Sequence, residues 1–202
     1  MALTAAGNAA LGLAAVPPPR TAPGAESCAA WYARVPGWTL AAAAPARLAT
    51  GTVFDVLELP ADAGTQVLRR RVATGPVAVA GRRMRFLVAP GAAEELDGLL
   101  DWLEWGGVDL DLTALGEGGL IAAPAPPGQP AAHAPRGAAV WLRPPEQGCE
   151  ASLPALPGPG QGDGPDLVRL VAAAATECHR ARLRRRTAPA GRPGAVDQAR
   201  FS

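Results

Sequence analysis

Lysine is missing from these 202 residues; all 19 basic side chains are arginine, set against 18 acids. The formal net charge of +1 gives no global attraction to a polyanion. Any such affinity must come from local clusters: Arg69 to Arg71, Arg82 and Arg83 with Arg85, and Arg182 with Arg184 to Arg186. Cysteine is scarce. Cys28, Cys149 and Cys178 form no CxxC pair, which points to a reducing compartment rather than a disulfide scaffold. Cys178 and His179 are adjacent, and neighbouring helical positions diverge by about 100°, so a core-side cysteine is a better reading than a zinc ligand. No run approaches the ~20 apolar residues that span a bilayer. The first basic residue is Arg20, so the basic start of a secretory leader is missing, and a cytoplasmic location without a membrane partner is expected. Also absent are a P-loop, GxSxG, HExxH, and a GxGxxG after a strand, each of which would signal a particular chemistry.

What is abundant is glycine and proline, 24 and 22 residues, clustered in 16–24, 124–137 and 154–165. These stretches divide the chain into a disordered tail over 1–24, a domain over 25–186 with loops at 124–137 and 154–165, and a disordered tail over 187–202. The remaining roughly 130 residues are enough for one core.

Within the domain, Ala25 to Val35 suggests a short helix ended by Pro36–Gly37. Val53 to Leu59 has the content of a strand, and Ala61 to Ala73 follows as a helix. Val77–Ala80 and Met84–Ala89 flank Gly81 closely enough to pair as a hairpin. Between Gly91 and Trp105, Leu96, Leu99, Leu100 and Leu103 recur at helical spacing. Val108 to Leu112 alternates apolar and acidic residues like a strand with one polar face. Leu120 to Ala123 suggests another strand, and Ala138 to Leu142 offers one more. A last helix over Pro165 to Arg186 carries a stripe of Leu167, Leu170, Val171, Ala174 and Cys178, with arginines in the turns that favour positive charge. The expected class is α+β: a split β-α-β-β-α-β core with a mainly antiparallel sheet, both helices on one face, and extra helices at each end.

Four segments in this order resemble the catalytic domain of bacterial bifunctional primase–polymerases. They are Ala30 to Trp38, Gly51 to Leu57, Ala80 to Phe86, and Val108–Asp109 followed by Gly118 to Pro124. The resemblance implies nucleotidyl transfer on Mg or Mn held by carboxylates, with Asp55 as the first metal-binding acid and Asp109 as the third. Leu57 stands where the second acid belongs. Two carboxylates on a strand share a metal at i and i+2, so Glu58 points to the wrong face. Arg83 stands where the family places its triphosphate-binding histidine.

Two features run the other way. Asp109 and Asp111, at i and i+2 of an expected strand, would share a face and form a relocated catalytic pair near Asp55. Arg82, Arg83 and Arg85 are multidentate donors suited to nucleotide phosphates. The sequence thus supports a degenerate primase–polymerase domain that binds nucleotide or single-stranded nucleic acid. An interaction module is the alternative, its site lost and a protein partner docked on the sheet or terminal helix, with Trp102 and Trp105 as candidate contacts.

Overall fold

A computed structural model describes residues 28–34, 38, 40–43, 46–128, 138–158 and 165–187. The expected tail over 1–24, all but Thr187 of the expected tail over 187–202, and most of the two expected loops taken together lie outside them.

The strand order is set by one hairpin. Val77–Ala80 (β4) and Arg83–Val88 (β5) pair antiparallel across the two-residue turn Gly81–Arg82, where Gly81 takes φ of 58°. Glycine carries that left-handed backbone without cost at the first turn position. β5 also pairs with Asp55–Pro60 (β3), which pairs in turn with Thr113–Leu115 (β6). Val140–Arg143 (β8) completes a sheet of order β6-β3-β5-β4-β8, all antiparallel. Ala61–Arg69 (α2) links β3 to β4, and Leu96–Trp102 (α3) links β5 to β6. This is the split β-α-β arrangement expected from the sequence.

Alternation decides which residues face the helices. Leu57 and Leu59 of β3 and Met84, Phe86 and Val88 of β5 pack with Val67 of α2, Leu96 and Leu99 of α3, and Leu170, Val171, Ala174 and Cys178 of the long helix Leu167–Thr187 (α4). At Gly64 any side chain would strike Met84, so α2 lies directly on β5. α4 runs antiparallel to α2: Glu177 binds Arg70 at the end of α2, and Arg185 binds Asp62 at its start. Asp166 caps α4 through the Val168 amide at 2.8 Å.

The opposite face is covered over half its length. Val56 and Leu87 pack under Tyr32 of the short helix Cys28–Tyr32 (α1), Trp38, Phe54, and Leu48 and Ile121 of a second sheet. That sheet comprises Leu40–Ala43 (β1), Ala46–Ala49 (β2) and Leu120–Ala122 (β7). Its aromatic core is pinned by polar atoms: the Tyr32 hydroxyl donates to the Pro124 carbonyl at 2.8 Å and accepts from Trp141 Nε1 at 3.2 Å.

Several boundaries differ from expectation. β1 and β2 occupy the stretch before Thr50, where no strand was expected. The helix expected from Gly91 starts only at Leu96, because residues 91–95 form turns. Val108 to Leu112 is not a strand; the extended segment begins at Thr113. Gly107 and Asp111, with φ of 73° and 54°, break the extended backbone that alternation would need. The terminal helix runs through Thr187, one residue into the expected tail.

Candidate functional site

The six residues from Asp55 to Pro60 span β3 from end to end, about 17 Å at the usual rise per residue. The expected site residues divide between those ends. Asp55, paired with Val88, is fully buried on the helix face. Its Oδ2 accepts from the Ala93 amide at 3.0 Å, fastening the turn before α3, while Oδ1 has no partner among the described residues. Burial pushes its carboxyl above the ordinary carboxylate range; the Ala93 amide partly offsets this and the Glu94 charge adds to it.

Asp109 and Asp111 lie at the other end, beside the last turns of α4. The shared face expected of them fails with the strand. Asp109 pairs with Arg182 at 3.3 Å, and Arg182 also donates to its carbonyl. Asp111 instead meets Arg83 at 2.6 Å and Arg185 at 3.9 Å. Leu57 is buried in the helix-side core. The structure therefore brings none of the other expected acids to Asp55.

The arginines of β5 converge on a residue that the sequence reading set aside. Glu58 leaves β3 on the face opposite the helices, directly across from Arg85. Arg85 Nε donates to one carboxylate oxygen at 2.6 Å and Arg83 Nε to the other at 3.0 Å. Burial pushes Glu58 upward, but the hydrogen bonds and charges of Arg85 and Arg83 outweigh it and hold its carboxyl below the usual range. The pair spans the β3–β5 ladder rather than the expected β4–β5 hairpin, and opposite charges facing across an antiparallel ladder attract.

From Glu58 the ion pairs continue through Arg83 to Asp111, then Arg185, then Asp62. Asp62 was not singled out from the sequence, and Arg185 entered only as a member of the Arg182 to Arg186 cluster. An open cleft of about 500 Å³ sits over this chain of charges, lined by Pro60, Ala61, Asp62, Gly81, Arg82, Arg83, Asp111 and Arg185. Three guanidiniums from the β4–β5 turn, β5 and α4 meet two carboxylates there. Arg82 forms no ion pair among the described residues. Arg85 lies outside the lining, held on Glu58, with Nη1 buried and without a partner among the described residues.

Thiol chemistry finds no support, since burial pushes Cys178 up to about 12 and also raises Cys28 and Cys149. Trp105 packs against His179 with ring centroids 5.5 Å apart and tilted by 52°, whereas Trp102 stands 72% exposed on α3. No helix among the described residues is long and apolar enough to cross a membrane. Compared with protein-family models, curated proteins and solved structures, the chain has no match.

Proposed function

We propose that this chain is a catalytically inert domain, related to the primase–polymerase catalytic domain, that binds a phosphate-bearing ligand in the cleft beside α4. The ligand is a nucleotide or single-stranded nucleic acid. The observation that carries the reading is the convergence of Arg82, Arg83 and Arg185 from three separate elements on one open cleft. Guanidiniums bind phosphate oxygens through paired N–H donors, and a cleft concentrates their field.

The residues do not fit the Mg or Mn site that the resemblance implies. Such a site needs several carboxylate oxygens around one point. Asp55 spends one oxygen on Ala93, Leu57 offers none, and Asp109 pairs with Arg182 at the far end of the sheet. Among the described residues no group of three or more His, Cys, Asp or Glu side chains is placed to hold a metal.

Primer synthesis and extension with Mg or Mn should therefore yield no product. Single-stranded DNA or a nucleotide should bind at low salt and dissociate as salt rises. Product formation abolished by Asp55→Ala or Asp109→Ala would refute the inert reading.

A second reading, a protein-docking module, is favoured by one feature. Exposed Trp102 ends α3, which with the residue before it carries Glu95, Asp97 and Asp101, none of which forms an ion pair among the described residues. An arginine-rich partner would suit that face. Recovery of a stoichiometric partner by the wild type, lost on Trp102→Ala, would support it.

A further inference from the structure

Resting on the phosphate-binding reading, the internal pairing of the cleft identifies which groups a phosphoryl ligand would meet. Arg83 is held from behind, its Nε on Glu58 at 3.0 Å. Arg185 is likewise held by Nη1 on Asp62 at 3.0 Å. The nitrogens left facing each other across the cleft are Arg83 Nη1 and Arg185 Nη2. Between them lies one carboxylate, Asp111, with Oδ1 2.6 Å from Arg83 and Oδ2 3.9 Å from Arg185.

Beyond these pairs, Asp111 has one further bond to Arg83, its carbonyl accepting from Nη2 at 3.4 Å. Its side chain is 53% exposed, and its backbone stands at φ of 54°, a left-handed conformation that L residues seldom adopt. It presents two anionic oxygens across two guanidiniums, as a phosphoryl group would. We propose that Asp111 is an internal stand-in for the ligand, and that a phosphoryl group binds between Arg83 and Arg185 by displacing it. Glu58 and Asp62 stay in place and keep both guanidiniums aimed. Arg82, on the adjoining turn, is available to a second phosphate. Asp111 thus restrains binding, the reverse of the catalytic role expected for it.

The test is Asp111→Asn in the full-length chain, since asparagine tolerates the left-handed backbone. Binding of dTTP and of a short oligodeoxythymidylate is measured at low salt beside the wild type and Asp109→Asn. Asp109→Asn removes the same charge from the same loop, outside the cleft. Asp111→Asn should tighten binding by about fivefold to tenfold, the value of one close charge pair near a surface. Asp109→Asn should change it by less than about twofold, because its charge is spent on Arg182. A gain with dTTP alone supports a free nucleotide as the source of the phosphate, and a gain with the oligonucleotide supports a strand. Equal effects of the two variants, or weaker binding by Asp111→Asn, overturn the inference while leaving the binding reading intact. Failure of all three proteins to bind either probe overturns the binding reading, and the inference with it.

Discussion

Asp55 and Glu58 sit three residues apart on one strand, yet their carboxyls are displaced in opposite directions. Asp55 is raised, so its contribution to stability is present below the ordinary carboxylate range and is lost as pH rises through its folded value. Glu58 is lowered, so its contribution is present above that range and is lost as pH falls through its folded value. Asp55→Asn keeps an oxygen for the Ala93 amide and removes the cost of a buried charge. In denaturation curves from about pH 2 to pH 8, bracketing the ordinary carboxylate range, it should gain on the wild type as pH rises. Glu58→Gln should lose about 3 kcal/mol at neutral pH by leaving Arg83 and Arg85 without their counter-charge, and the deficit should shrink in acid. An Asp55→Asn variant destabilised most at high pH would contradict the buried-anchor account. The sequence showed that a carboxylate in an apolar run was unusual. It did not show that a backbone amide 38 residues away receives it.

At the scale of elements, the split β-α-β core was legible because periodicity is local: β4, β5 and α2 have strand or helix composition over their own residues. Val108 to Leu112 misled for the opposite reason. Its alternation is real, but the acids are satisfied by Arg182, Arg83 and Arg185, some of them more than 70 residues away. The left-handed turns at Gly107 and Asp111 carry the chain to them. β1 and β2 were missed because Leu40 to Ala49 is mostly alanine, which carries little strand preference. α4 is the element on which the helix face depends. Leu170 is fully buried against both the sheet and the other helices. Leu170→Ala should cost about 2–5 kcal/mol, read as a lower denaturant midpoint with an unchanged slope. A loss under about 1 kcal/mol would mean that α4 is not packed as described.

Across the whole molecule, a net charge near zero conceals a local excess of arginine at one end. Arg82, Arg184 and Arg186 form no ion pairs among the described residues, while Arg83, Arg182 and Arg185 are held by acids. The resemblance to primase–polymerases led to the arginines of β5, and it also led to a metal site that these residues do not build. The most direct test of the account is the low-salt binding isotherm of dTTP and oligodeoxythymidylate for the wild type and Arg82→Ala. Among the described residues Arg82 has no side-chain partner to strand, so its loss removes attraction alone. The account predicts wild-type binding that weakens with salt, and a further loss of about threefold to tenfold in Arg82→Ala. Wild-type protein that binds neither probe, or an Arg82→Ala isotherm superimposable on the wild type, would contradict it.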